Sequence, residues 1–330
     1  MDANVKVLSV VGAGRSGTTV LAGILGELDG VVSAGELRFL WERGLASDRP
    51  CGCGSQPVDC PVWGPVSAAA GRALAVDWPG VDIDTIIAAQ HELKRRRNFP
   101  RVLRTMTQAQ PDWPALLLVR AAIGAACLAL AEVTSARIVV DTSKRPLDAA
   151  VLAGVPDIDH YVLHIVRDPR AVVHSWRRTK AFTAGGQSRT MGTRSLPSTT
   201  RRWSANCLSA EALRRRVPVA RWSHLRYEDF ADDPRSAVQA IVELLGEPKT
   251  TSPFLDDHTV LLHPNHIVAG NPSRFTTGPV TIRADMAWRS QMPVRDQQLV
   301  SMLTFPLLRR YGYRGRTTAA TDRGTRRTHA

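Results

Sequence analysis

Residues Gly12 to Thr19 read GAGRSGTT, with Gly12, Gly14 and Gly17 interleaved with Arg15 and the hydroxyls of Ser16, Thr18 and Thr19. The backbone N–H groups of such a loop turn inward and the N-terminus of a following helix adds partial positive charge, so its natural guest is a phosphate or similar oxyanion. A nucleotide triphosphatase loop carries Lys and then Ser or Thr after its last glycine. Here Thr18 and Thr19 follow Gly17 and the cation, Arg15, precedes it, which argues against a kinase or ATPase. A second constellation, VRDPRAVVHSW from Val166 to Trp176, sets Asp168 and Pro169 at the cap and first position of a helix. Arg167 then stands at a strand's end, where its forked guanidinium suits a phosphate, and Ser175 falls about two turns into the helix. Glu36 in VVSAGELRF, Lys144 closing DTSK, Tyr227 in LRYEDF, and Asn271 and Arg274 in HIVAGNPSRF complete the candidates. Each has a plainer reading as well: a glycine-rich turn, an Arg pairing with the helix cap, a Glu starting a helix, or a turn at Gly270 to Pro272.

These residues need elements to hold them. Val5 to Val11, β-branched at four of seven positions, reads as a strand and Thr19 to Leu28 as a helix. Val31 to Glu36, Arg137 to Asp141, Tyr161 to Val166 and Val217 to Leu225 with the following YEDF are further strand candidates, and Pro234 to Leu245 a helix stopped by Gly246. Strands alternating with helices predict an α/β fold: a P-loop-like central parallel sheet covered by helices on both faces. Residues 66–133 read as a helical insertion, and Ala115 to Val133, broken by Arg120, as a buried helix. One domain is expected over 1–315, with a disordered basic tail over 316–330.

The chain has 330 residues, 44% of them hydrophobic, which excludes wholesale disorder, and it carries a formal charge of +13. The excess charge lies in two places, His91 to Thr105 and Arg309 to Ala330, so nucleic acid has two local candidate sites and no global basic face. A solvated helix face and a free tail are the expected readings of both, and no nucleic-acid partner is expected. Met1 to Asn4 leads directly into the first strand without a signal peptide, which predicts a cytoplasmic protein. Cys51, Cys53 and Cys60 lie within ten residues, but zinc wants four ligands and no fourth is near in sequence, so no metal is expected and a reduced, loop-ordering cluster is preferred.

The order GAGRSGTT, DTSK, VRDPRAVVHSW, LRYEDF resembles that of sulfotransferases using 3′-phosphoadenosine-5′-phosphosulfate, notably the bacterial branch similar to tyrosylprotein and carbohydrate enzymes. The resemblance runs from about Val5 to Tyr313. It implies that Gly14, Arg15, Ser16, Gly17, Thr18 and Thr19 grip the 5′-phosphosulfate and that Arg167 and Ser175 bind the 3′-phosphate. By the same resemblance Tyr227 lies by the adenine, while Asn271 and Arg274 close over the nucleotide. Glu36 matches the base of the tyrosylprotein enzymes and Lys144 a lysine contacting the transferring group. Cytosolic members use a His base, on which analogy His266 or His164 would serve, though neither falls in the matching motif. The expected partner is a hydroxyl-bearing small molecule, saccharide or lipid, with contact to a membrane surface left open, as are the acceptor's identity and the oligomeric state. The alternatives are a P-loop kinase-like phosphotransferase and a nucleic-acid-binding module built on Lys94 to Arg104 and the tail.

Overall fold

The apolar strand pattern becomes a five-stranded parallel sheet in the order β2-β3-β1-β4-β7. Its strands are β1 (Val5–Val11), β2 (Val31–Gly35), β3 (Ile138–Lys144), β4 (Ile158–Val166) and β7 (Trp222–Arg226). The structure, a computed structural model, describes residues 4–47, 49–184, 187–247 and 252–313, with the backbone alone for 180–184 and 187–189. Alternation along β1 sorts its side chains between two cores. Val7 and Val11 join one with Val139 and Val162, while Leu8 and Val10 join the other with Val140 and Ile165. Each fully buried side chain of this kind contributes about 1.5–3 kcal/mol by leaving water, so both faces must be covered.

Helix α1 (Thr18–Leu25) follows β1 and covers one face. The expected helical stretch between β2 and β3 holds α2 (Trp63–Asp77), α3 (Ile83–Leu93), α4 (Phe99–Thr105) and α5 (Pro114–Thr134). Helix α5 is long and apolar enough to cross a membrane by length and composition, but it packs as a core helix between α2, α3 and the sheet. Its Arg120 is buried without a carboxylate. The guanidinium donates instead to the carbonyls of Gln108 (2.6 Å), Thr105 (3.0 Å), Met106 (3.2 Å) and Val151 (3.3 Å). One side chain thereby ties the end of α4 to the end of α6 (Pro146–Leu152).

Helix α7 (Pro169–Arg177) starts where the sequence places it, with Asp168 accepting from Arg170 N at 2.9 Å and ion-paired to the Arg170 guanidinium at 2.6 Å. A backbone hairpin, β5 (Lys180–Ala184) and β6 (Gln187–Met191), then leads to α8 (Leu196–Arg214). YEDF is not strand but the start of α9 (Tyr227–Asp232), because the parallel pairing with β4 ends at Arg226. Helix α10 (Pro234–Leu244) ends before Gly246, at φ +64°, as its sequence predicts. A second hairpin, β8 (Thr259–Leu262) with β9 (Gly278–Thr281), the short α11 (Trp288–Gln291) and α12 (Val294–Arg310) complete the chain. The expected basic tail lies outside the described residues.

Candidate active site

Parallel strands end on one side, and here that edge collects the candidates. Beyond β1 comes the glycine loop, beyond β2 Glu36, at the end of β3 Lys144, beyond β4 Arg167, and beyond β7 Tyr227. They face a cavity of about 990 Å³, whose lining includes Gly14, Arg15, Gly17, Thr18, Thr19, Glu36, Lys144, Arg167, Ser175, Tyr227 and Asn271.

In the loop, Arg15 takes φ +76° and Gly17 φ +79°, left-handed conformations that fold the backbone around its own N–H groups. A Cβ on Gly17 would stand 2.7 Å from the Tyr227 ring, so that position has no room for a side chain. The Arg15 guanidinium is buried, and none of its three nitrogens has a hydrogen-bond partner among the described residues. It lies over the Trp176 ring at 4.8 Å, and Arg194 covers the same ring at 3.8 Å. Burial first, then the charges of Arg194 and Arg167, push the Arg15 pKa down from its ordinary value. Crowded cations with no carboxylate define a place for an anion.

Arg167 is also buried. It donates to the Arg15 carbonyl (2.8 Å) and the Asp285 carbonyl (2.9 Å), pairs with the Asp285 carboxylate at 3.4 Å and stacks 4.4 Å above Tyr227. Its Nε has no partner among the described residues. The helix cap does not claim it, since Arg170 takes Asp168. Glu228 of the YED motif is structural: it accepts from Asp168 N (3.1 Å) and Tyr313 OH (2.6 Å), fixing the turn from β4 into α7.

Glu36 accepts from Lys144 Nζ at 2.5 Å and from Arg38 Nη2 at 3.1 Å. Burial raises its pKa, but Lys144 and Arg38 together outweigh burial and hold the carboxyl below the ordinary value of 4.5. Lys144 sits at φ +69°, strained for a side chain-bearing residue, and its carbonyl accepts from Gly12 N (2.9 Å) and Asn206 Nδ2 (3.0 Å). Asp141 holds the turn after Glu36 from beneath, accepting from Leu37 N (3.1 Å), Ser143 N (3.0 Å) and Ser143 Oγ (2.6 Å). Burial pushes the Asp141 pKa up to about 7. Of the carboxylates, only Glu36 and Asp285 line the cavity among the described residues, and Asp285 is engaged by Arg167.

The structure places some candidates outside the cavity and decides between several alternatives. Ser16 is fully buried and is absent from the cavity lining. Arg274 is absent as well, because its guanidinium donates to Gly270 O (3.0 Å) and Pro50 O (3.2 Å), tying two loops together. No histidine lines the cavity among the described residues. His164 is buried beside Trp222, His224 and Tyr311, where burial drops its pKa to about 3, and His266 faces Cys60. The basic stretch from His91 is not wholly a solvated face, since Lys94, Arg95 and Arg96 line the cavity. HIVAGNPSRF is no surface loop: Ile267, Val268 and Ala269 are buried, and Ala269 O accepts from Glu36 N at 3.0 Å. The three cysteines do have a fourth neighbour, His266, brought from more than two hundred residues away. Sequence reasoning missed Arg38, Asp141, Trp176 and Arg194 as site residues; only the Trp176 and Asp141 motifs carried any signal.

Fold and site together define an α/β protein with a cation-lined cavity beyond the end of its first strand. The sulfotransferase family model matches residues 76–251, more than half of the chain. The chain belongs to the sulfotransferase family. That span contains Lys144, Arg167, Ser175 and Tyr227 and lies beyond the glycine loop. In three dimensions the chain is similar to the sulfotransferase domain of the Synechococcus PCC 7002 olefin synthase, with a TM-score of 0.52, 19% identity, and 95% of this chain and 97% of that one covered. That likeness shows the fold. The sulfotransferase domain of the curacin biosynthetic pathway (TM-score 0.49, 15% identity, coverage 92% and 97%) and a sulfotransferase of Mycobacterium avium (0.47, 14%, 95% and 79%) are similar at greater distance. Among curated proteins, none matches.

Proposed function

We propose that this sulfotransferase takes its sulfuryl group from 3′-phosphoadenosine-5′-phosphosulfate and delivers it, in the cytoplasm, to a hydroxyl of an acidic small molecule, saccharide or lipid. The observation that carries the donor is the buried Arg15 guanidinium, whose three nitrogens have no partner among the described residues, in a glycine loop where Arg15 and Gly17 take positive φ. The donor supplies an activated sulfuryl group on a 5′-phosphate. Arg15 and the loop hold its charge, Arg167 Nε and Ser175 take the 3′-phosphate, and the Tyr227 ring offers a stacking face. Asn271, whose backbone N–H donates to Thr19 Oγ1 at 3.3 Å, flanks the loop from the other side.

Transfer forms a bond from the acceptor oxygen to sulfur and breaks the one from sulfur to the 5′-phosphate oxygen. Glu36 takes the acceptor proton, and Lys144, beside it, meets the charge developing on the bridging oxygen. The acidic acceptor is supported by Arg43, Lys94, Arg95, Arg96 and Arg202, which line the cavity outside the nucleotide motifs, while Glu36 and Asp285 are its only carboxylates among the described residues.

The test is a thermal-shift and calorimetric titration. Adenosine 3′,5′-bisphosphate should raise the Tm by mass action on the folded state, and ATP, which lacks the 3′-phosphate, much less. Equal stabilisation by ATP with dependence on Mg²⁺ would defeat the donor assignment in favour of a kinase.

A further inference from the structure

Cys51, Cys53 and Cys60 come from one loop and His266 from the strap that precedes β9, yet their ligand atoms all lie within 4.8 Å of one another. Cys60 Sγ is 3.8 Å from Cys51 Sγ, 3.8 Å from Cys53 Sγ and 3.2 Å from His266 Nδ1. A disulfide would need about 2.05 Å between sulfurs, and all five cysteines are free thiols. A tetrahedral ion with bonds of about 2.3 Å to sulfur and about 2.0 Å to nitrogen has S···S edges of about 3.8 Å and S···N edges of about 3.5 Å. The three edges at Cys60 are close to those lengths, and the other three are no longer than 4.8 Å.

The backbone around it is shaped to hold this arrangement. A Cβ on Gly52, between the first two cysteines, would stand 2.1 Å from Asn265 Oδ1, and Gly54 takes φ +93°. Gly52 N donates to Ile267 O (3.0 Å) and Trp63 Nε1 to His266 O (2.5 Å), so the loop and the strap are joined on both sides of the histidine. Arg274, hooked to Pro50 O and Gly270 O, adds a cation to this junction, where three thiolates and a divalent ion would sum to one negative charge.

We propose that Cys51, Cys53, Cys60 and His266 bind one zinc ion in a closed, four-coordinate structural site. With all four positions taken by the protein, the ion has no open place for substrate and takes no part in the chemistry. Its effect is mechanical. From His266 the strap continues through Val268 N, which donates to Ala34 O (3.2 Å), and Ala269 O, which accepts from Glu36 N (3.0 Å), to Asn271 at Thr19. The ion therefore anchors the segment that fixes the backbone of Glu36 and flanks the glycine loop.

The test needs no sulfuryl transfer, so it stands or falls apart from the donor assignment. Wild-type protein from zinc-supplemented medium should carry one zinc per chain by elemental mass spectrometry. Chelation should release it, expose three thiols to a thiol reagent and lower the Tm by roughly 5–10 °C. Reconstitution with Co²⁺ should give the thiolate charge-transfer and visible bands of a tetrahedral site. His266→Ala should lose the metal, whereas His266→Cys should retain Co²⁺ with a stronger charge-transfer band. Since the wild-type measurements stand alone, a misfolded variant does not decide the matter. Metal-free wild-type protein that gives no tetrahedral spectrum with Co²⁺, or iron at the site instead of zinc, would overturn the proposal.

Discussion

Arg15 and Glu36 differ in the company each keeps, and the roles proposed for them follow from it. Arg15 has the Trp176 ring and two other cations, Arg194 and Arg167, around it and no hydrogen-bond partner among the described residues, so its charge is free for a ligand; Glu36 has Lys144 and Arg38 on its two oxygens. In the proposed reaction Arg15→Ala removes a donor to the transferring group, and kcat should fall by roughly 10²–10³-fold. Arg167→Ala should act mainly on donor KM and on the affinity for adenosine 3′,5′-bisphosphate; unchanged affinity would refute its 3′-phosphate role. Glu36→Gln keeps shape and loses the base, so turnover should fall by roughly 10²–10⁴-fold with nucleotide affinity nearly unchanged. The pH dependence has a definite sign. Burial raises the Glu36 pKa, but Lys144 and Arg38 bring it below 4.5, so the base is ionised at neutral pH and the acid limb of kcat should fall below that value. The same depression stabilises the fold above the unfolded-state value and is lost as pH falls through the folded one. The stability gap between wild type and Glu36→Gln should therefore shrink on acidification below 4.5, and a gap that widens there would contradict the Glu36–Lys144 pairing.

At the scale of elements, the strands that end at the cavity were legible because continuous apolar runs of strand length followed by a capped helix leave few other readings. β1, β4 and the Asp168 cap are examples. The short Trp222–Arg226 was blurred with YEDF, since no apolar pattern marks where pairing with β4 stops. His266 beside Cys60, Asp141 beneath Leu37 and Arg194 over Trp176 were illegible for a different reason: each contact joins separate elements, and no local periodicity encodes such a meeting. Arg120 shows the same principle inside a helix. Its sequence context reads only as a break in an apolar run, whereas in the fold it serves four carbonyls at the ends of α4 and α6. Arg120→Met keeps the apolar stem and strands those carbonyls, so denaturant unfolding should register a loss of roughly 2–4 kcal/mol while nucleotide affinity per folded molecule holds. A loss below about 0.5 kcal/mol would mean that water replaces the guanidinium without cost.

Across the whole molecule the charge is unevenly used. The chain carries +13, and among the described residues twelve lysines and arginines line a cavity that has two carboxylates. In the proposed reading those near the glycine loop and Arg167 serve the donor's phosphates, and Arg43, Lys94, Arg95, Arg96 and Arg202, outside the nucleotide motifs, leave a positive field for the acceptor. An acceptor bearing a carboxylate, sulfate or phosphate is drawn into that field, and salt weakens the attraction over a Debye length of about 8 Å at physiological ionic strength. Matched hydroxylated acceptors differing by one carboxylate provide the measurement. The acidic member should have the higher kcat/KM, and its advantage should shrink as salt is raised from about 0.05 to 0.5 M, while the neutral member changes little. Arg96→Glu and Arg202→Glu, both on exposed side chains of the rim, should each raise the acidic acceptor's KM by roughly two- to five-fold at low salt and leave its kcat near wild type, as expected for exposed charges. Equal kcat/KM for the two acceptors at every salt concentration would sink the acidic-acceptor reading and leave the donor assignment untouched, because the donor is judged by nucleotide binding alone.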